Sequence, residues 1–131
     1  MRALDTNVVV RFLLDDDRRQ GRRAKRLLMR AEVAGEPLLL TNPVLLELIW
    51  VLIAVYDFSR DEALDALELL AGMPALCFES YDLLVRLITR GRAGKADLAD
   101  LLIGLWAAEQ SCQTTLTFEK GLPATGLFEC L

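Results

Sequence analysis

The acidic residues that could do chemistry in this sequence are spread along the chain in four short motifs. Asp5 lies in ALDTN, Glu47 in ELIWVL, Asp97 and Asp100 in AGKADLADLLIG, and Glu119 in TLTFEKGL. The sequence contains no histidine, which excludes Ser-His-Asp and Cys-His catalysis and also His-ligated zinc. Any catalysis must therefore use carboxylates, hydroxyls, amines or a bound metal ion.

Carboxylates that lie close together need a cation between them. They repel one another and raise one another's pKa, which destabilises the fold unless a positive charge compensates. Mg²⁺ prefers oxygen ligands, uses only a few carboxylates and keeps several waters. Such an ion polarises a phosphate and lowers the pKa of a bound water, which supplies a nucleophile without histidine. The residue types therefore favour metal-dependent hydrolysis of a phosphodiester.

Glu47 is the only charged residue in the apolar stretch 43–56. Its helical neighbours at i−3, i+3 and i+4 are Val44, Trp50 and Val51, which predicts a carboxylate buried in the core. A buried lone carboxylate is costly unless it is paired or coordinates a metal. We therefore expect Glu47 to be a metal ligand, with an ion pair to a distant arginine as the alternative.

The other acidic residues each have a purely structural alternative. Asp5 could cap the short helix that starts at Thr6. Asp97 and Asp100 could be a helix cap and a first-turn acid favoured by the helix dipole. Glu119 could be an ordinary residue of an exposed turn. The sequence alone leaves these alternatives open.

Strands and helices alternate along the chain, which predicts the α/β class with a parallel sheet covered by helices on both faces. The carboxyl ends of the strands form one edge of such a sheet, where ligands bind, and all five acids are expected near it. Strands are predicted at 2–5, 37–41, 75–78 and 114–118, with a short fifth at 127–131, and helices at 6–14, 18–34, from about 43, 59–71, 80–90 and 97–110.

Composition and charge set the class of the protein. The 131 residues suit a single domain, 1–131, and 53% of them are hydrophobic, which is typical of a globular protein. The three cysteines are widely spaced, so neither a disulfide framework nor a thiolate zinc site is indicated. The N-terminus lacks the features of a signal peptide, and the apolar run at 43–56 is too short to span a bilayer. We expect a soluble cytoplasmic protein.

The four motifs resemble, in order and spacing, those of PIN-domain ribonucleases, and most closely the VapC-type toxins of bacterial toxin/antitoxin pairs. The resemblance covers essentially the whole chain. It implies a three-layer α/β/α sandwich with a central, mostly parallel sheet of four to five strands, and an endoribonuclease that depends on Mg²⁺ or Mn²⁺.

The resemblance also implies roles for individual residues. Asp5, Glu47 and Asp100 match the three core acids of the family, and Asp97 matches an accessory acid. Thr6 and Thr117 match hydroxyls beside the metal, where they orient a ligand or a water. Glu119 stands where the family usually has Asp in its T-x-D motif, so the number of metal ions, one or two, stays open.

Two clusters of basic residues are candidates for contact with RNA phosphates. One comprises the seven basic residues within 18–30, and its alternative is a solvated helix face balanced by the acids at 15–17. The other is RGRAGK at 90–95, which directly precedes Asp97. We expect RGRAGK to be a flexible loop and to contact RNA through Arg90, Arg92 and Lys95.

The expected partners follow from the resemblance as well: an RNA substrate, a small VapB-like antitoxin and a second copy of the chain in a homodimer. Two other functions remain open. One is a PIN-like module that binds RNA or protein without metal-dependent cleavage. The other is phosphoryl transfer through an aspartyl-phosphate at Asp5, which is weakened by Asn7, since haloacid-dehalogenase-like phosphatases carry a second Asp there.

Overall fold

A computed structural model describes the whole chain, residues 1–131, and divides it into two compact units, residues 1–81 and 82–131. A π-helical segment spans Val51–Val55 and a 3₁₀ turn spans Leu122–Thr125. The helices are α1 (Thr6–Leu13), α2 (Arg18–Ala34), α3 (Asn42–Trp50), α4 (Arg60–Ala71), α5 (Tyr81–Ala93) and α6 (Leu98–Glu109), and the strands are β1 (Leu38–Leu40), β2 (Leu76–Phe78), β3 (Thr115–Thr117) and β4 (Phe128–Cys130).

In the first unit, β1 and β2 pair in parallel, with Leu38 opposite Leu76 and Leu40 opposite Phe78. The segment before α1 joins the other edge of β1 through a parallel bridge between Ala3 and Leu39. Two hydrogen bonds make this bridge, from the Leu4 nitrogen to the Leu39 oxygen and from the Leu39 nitrogen to the Arg2 oxygen, both 2.9 Å. The carboxyl ends of these segments therefore lie at one edge.

Helix α2 has clear signals at both ends. The Asp17 side chain accepts a hydrogen bond of 3.0 Å from the backbone nitrogen of Gln20, which caps the first turn. Gly35 ends the helix with φ +67°, a left-handed conformation that glycine adopts without strain. Ala24, Leu28 and Ala31 form the buried face, and α1 packs against α2 and α3.

Helices α3 and α4 begin as the sequence predicts. Pro43 lies in the first turn of α3, where its missing N–H costs nothing. Ser59 and Glu62 form a capping box at the start of α4, with reciprocal hydrogen bonds of 3.1 Å and 2.9 Å. The last part of the predicted helix from Pro43 is π-helical, and the Tyr56 nitrogen bonds to the Val51 oxygen at 3.1 Å.

In the second unit, β3 and β4 form another parallel pair, with Thr115 opposite Phe128 and Thr117 opposite Cys130. Helix α6 packs on β4 at Gly104. A Cβ atom there would lie 2.6 Å from Cε2 of Phe128 and 3.1 Å from Cβ of Leu127. Glycine is therefore required for the close approach of this helix to the strand.

The chain is α/β, and every predicted strand segment is extended, but four of them are strands of three residues and the first is a single bridge. They form two separate two-stranded parallel sheets. The central sheet of four to five strands is not confirmed, and the single-domain organisation stays a prediction. No helix is long and apolar enough to cross a membrane.

Gly104→Ala should destabilise the protein by about 1–3 kcal/mol, because the added methyl overlaps the buried Phe128 ring. Gly121→Ala is the matched control, since no atom lies within 4 Å of its Cβ position and its φ of −80° suits alanine. Urea denaturation of both variants measures the difference. Equal stability of the two would contradict the tight packing at Gly104.

Candidate functional site

A cavity of about 510 Å³ in the second unit brings together three of the five predicted acids. Asp97, Asp100 and Glu119 line it, together with the basic residues Arg90 and Lys95. The two aspartates lie at the start of α6 and Glu119 follows β3, while Arg90 lies in the last turn of α5 and Lys95 in the connection from α5 to α6. The lining of the cavity therefore contains both carboxylates and cations.

Asp97 and Asp100 are positioned by the first turn of α6. Asp97 is the N-cap residue, and its Oδ1 accepts a hydrogen bond of 3.0 Å from the backbone nitrogen of Asp100. The structural alternative for Asp97 is thus confirmed, while its second oxygen stays available to another partner. Asp100 lies within the first turn and its side chain is partly buried.

Glu119 follows β3 in an exposed turn, and its backbone nitrogen donates to Oγ1 of Thr117 at 3.0 Å. This bond links the two residues of the T-x-E motif and leaves the Glu119 carboxylate free to face the cavity that it lines. The Cys130 thiol donates to the Glu119 carbonyl oxygen at 3.5 Å. Both contacts fix the backbone of Glu119, so its position depends on the β3–β4 pair.

The charged form of the Asp100 carboxyl group is disfavoured in the folded protein. Burial raises the pKa of Asp100, and the negative charges of Asp97 and Glu119 raise it further. These two neighbours are the acids that the sequence assigned to the same site. The three carboxylates therefore form one electrostatic unit that a cation would stabilise.

The basic residues of RGRAGK do not all lie in the flexible loop that the sequence predicts. Helix α5 continues through Ala93, so RGRAGK is not a flexible loop over its whole length. Arg90 lies in the last turn of α5 and donates to the carbonyl oxygen of Thr125. Lys95 is exposed in the connection to α6, and Arg92 is exposed on α5 and does not line the cavity.

In the first unit, Asp5 caps α1, and its Oδ1 accepts a hydrogen bond of 2.8 Å from the Thr6 nitrogen. The hydroxyl of Thr6 is buried and has no hydrogen-bond partner in the protein. An unpaired buried hydroxyl is unusual and needs a water or a ligand to satisfy it. The setting of Thr6 is thus consistent with a hydroxyl that orients a ligand.

The prediction that Glu47 is buried is wrong, because its side chain is exposed. Its neighbour Trp50 is also 59% exposed, and Val44 is only partly buried. Apolar neighbours therefore did not make a buried environment for this carboxylate. Its assignment as a metal ligand stays a prediction that rests on the resemblance.

A carboxylate–amide pair at the strand ends of the first unit was missed. Glu79 follows β2 and accepts two hydrogen bonds from Asn42, 3.0 Å from the backbone nitrogen and 3.3 Å from the side-chain amide. The Glu79 nitrogen in turn donates to the Leu40 oxygen at 3.0 Å. The position of Glu79 directly after a strand was the signal, since the same rule selected Asp5.

No group of three or more Asp, Glu, Cys or His residues has a geometry that could hold a metal ion as the side chains stand. Asp5, Thr6 and Glu47 belong to the first unit, and Asp97, Asp100, Thr117 and Glu119 to the second. The donor set still fits Mg²⁺ or Mn²⁺ in its chemistry, because it consists of oxygen ligands with uncompensated negative charge at Asp100. The complete five-acid set stays a prediction.

The sequence model of the PIN domain family matches residues 2–126, which cover most of both units. The chain therefore belongs to the PIN domain family. PIN domains are generally nucleases, and they typically use divalent metal ions. No curated protein matches the sequence. The family gives the nuclease fold, and the acidic cavity lies within the matched residues.

Asp100→Asn should raise the melting temperature of the metal-free protein at neutral pH. A carboxyl whose pKa is raised by folding lowers the stability as pH increases from its ordinary value of 3.8 through the raised value. The advantage of Asn should therefore be absent in acid and should appear as the pH rises towards 7. Thermal unfolding in EDTA across this range measures it.

Asp15→Asn is the matched control, since it removes the same charge from an exposed turn. It should show no comparable gain. If Asp100→Asn destabilised the metal-free protein at neutral pH, the repulsion among the three carboxylates would be refuted.

Proposed function

We propose that the protein is an endoribonuclease that depends on Mg²⁺ or Mn²⁺ and hydrolyses RNA phosphodiester bonds. The observation that carries the proposal is the presence of Asp97, Asp100 and Glu119 in the lining of one cavity, in a chain that belongs to the PIN domain family. Burial and the charges of the other two acids raise the pKa of Asp100 there. Carboxylates that repel one another beside a cavity provide the charge that a divalent ion needs.

The proposed ligands are Asp5, Glu47 and Asp100, with Asp97 and Glu119 in support. When bound, the ion would polarise the scissile phosphate and lower the pKa of a water. The protein's own side chains would position the ion and the substrate. Asp97 and Asp100 present their oxygens from the rigid first turn of α6, and the unpaired hydroxyl of Thr6 is available to orient a water or a phosphate oxygen.

The cations in the acidic cavity suit the phosphates that flank the cleaved bond. Lys95 is exposed at its rim, and Arg90 is held by the Thr125 carbonyl oxygen, so its guanidinium lies in a fixed position. A guanidinium held in this way loses little entropy when it binds a phosphate. Arg92 would extend the contact along α5.

The order and spacing of the four acidic motifs support the narrower assignment to the VapC-type toxins. With it come a VapB-like antitoxin, a cytoplasmic location, a homodimer and the three-layer sandwich with one central sheet. The exposed apolar side chains of Trp50 and Val55, 59% and 58% accessible, are of the kind that a second copy would cover. Each of these points is a proposal.

A PIN-like module that binds without cutting is the second candidate, and the observation in its favour is Glu119. This residue stands where the family usually has Asp, and it is exposed two residues after β3. Its longer side chain could bind the ion only through water.

Cleavage of a panel of RNAs with Mn²⁺ tests the proposal. Asp100→Asn and Asp5→Asn should each lower the rate by about a hundredfold or more, because each removes a charged ligand. Asp15→Asn should cleave at the wild-type rate, since Asp15 lies in an exposed turn outside the cavity.

Circular dichroism shows whether each variant keeps its fold. Cleavage by the Asp5 and Asp100 variants at the wild-type rate would refute the nuclease mechanism. Tight Mn²⁺ or RNA binding by a wild-type protein that never cleaves would favour the binding module.

A further inference from the structure

A second cavity, of about 520 Å³, lies in the first unit between α1 and α2 and is strongly basic. Four arginines line it, and no carboxylate does. Its lining shares no residue with the acidic cavity. The basic residues are Arg11 from α1 and Arg23, Arg26 and Arg30 from α2, and the last three are called the arginine row.

The arginine row carries charge that the protein does not neutralise. None of its guanidinium groups forms a hydrogen bond or an ion pair, whereas Arg11 is held by Asp16 at 3.0 Å and by Gln20 at 2.6 Å. Of the nearby acids, Asp16 is thus engaged with Arg11 and Asp17 caps α2. The acids at 15–17 therefore form no ion pairs with the row.

The row is linear rather than a cluster. Arg23, Arg26 and Arg30 are spaced three and four residues apart on α2, which places them along one face of the helix over about 10 Å. Arg19 lies four residues before Arg23 and continues the same line. The floor between the cations is apolar and consists of Val8, Ala24 and Leu27.

We propose that the arginine row binds consecutive phosphodiester groups of single-stranded RNA, as a second contact of the substrate that rests on the proposed function. Charges that repeat at one helical turn match a polymer with one negative charge per nucleotide. Guanidinium groups bind phosphate oxygens through paired N–H donors. The apolar floor accommodates the sugars and the edges of the bases.

An acidic protein segment is the competing ligand, and two features favour RNA over it. Among the side chains that line the cavity, only Asn7 and Gln20 could accept hydrogen bonds from the N–H groups of a peptide. The arginines extend beyond the cavity to Arg19 in one line, as a long phosphate backbone requires and a single carboxylate does not.

Fluorescence anisotropy with a labelled oligouridylate in EDTA measures binding without cleavage. The row variant, with Arg23, Arg26 and Arg30 changed to Gln, should bind about tenfold more weakly at low salt. The slope of log affinity against log salt concentration should be less negative by about 2 than for the wild type, because three phosphate contacts are lost.

The matched control changes Arg18, Arg22 and Lys25 to Gln. These residues lie on the same helix, are exposed and do not line the cavity, so the control removes the same charge. It should bind RNA much more tightly than the row variant. Thermal unfolding of both variants should give the wild-type melting temperature, since none of the six side chains is buried or paired.

Three outcomes would overturn the inference: equal weakening in the two variants, no weakening in the row variant, or competition by polyglutamate as strong as by unlabelled RNA. The last would assign the cavity to an acidic protein segment. If the wild type cleaves RNA with Mn²⁺ while the row variant binds like the control, the row inference fails and the proposed function stands. If the wild type neither binds nor cleaves RNA, both fail.

Discussion

Three carboxylates, at Asp97, Asp100 and Glu119, line one cavity, where burial raises the pKa of Asp100 and the negative charges of Asp97 and Glu119 raise it further. Folding therefore works against electrostatics at this point, and the rest of the second unit must hold the acids in place. A divalent cation converts the same repulsion into binding energy, because each oxygen that disfavours its neighbour favours the ion. The nuclease proposal depends on this conversion.

The elements around the cavity are suited to that task. One carboxylate oxygen of Asp97 caps α6, and this hydrogen bond fixes the turn that also carries Asp100. Gly104 lets α6 lie directly on the Phe128 ring, and the parallel pairing of β3 with β4 sets where Glu119 follows. Asp97 and Asp100 are thus attached to a packed helix, while Glu119 lies in a turn whose backbone is held by Thr117 and Cys130.

Much of the fold could be predicted from the sequence because the local signals are strong. Helix α2 has a capping aspartate and a terminal glycine, and α4 has a capping box, so their limits follow from the residues at their ends. The exposure of Glu47 could not be predicted in this way. Helix α3 is apolar on every side, so the periodicity did not identify the face that the fold leaves exposed. The prediction of a flexible loop at RGRAGK was wrong over part of its length, because Gly91 is buried inside α5 and does not end the helix.

Part of the candidate site could also be predicted from the sequence. Asp97, Asp100 and Glu119 were selected by the rule that ligands gather at the carboxyl ends of parallel strands, and they do line one cavity. The same rule, applied more strictly, would have found Glu79 after β2. The unpaired hydroxyl of Thr6 and the unneutralised arginine row needed the structure, because both are defined by missing partners.

The central claim is that a divalent ion compensates the charge at Asp100, and carbon-detected NMR of its carboxyl group tests it most directly. In EDTA, the pKa of Asp100 should lie above the ordinary 3.8. Saturating Mg²⁺ should lower it below that value, because the bound ion favours the charged form. A pKa that Mg²⁺ leaves unchanged would contradict the account.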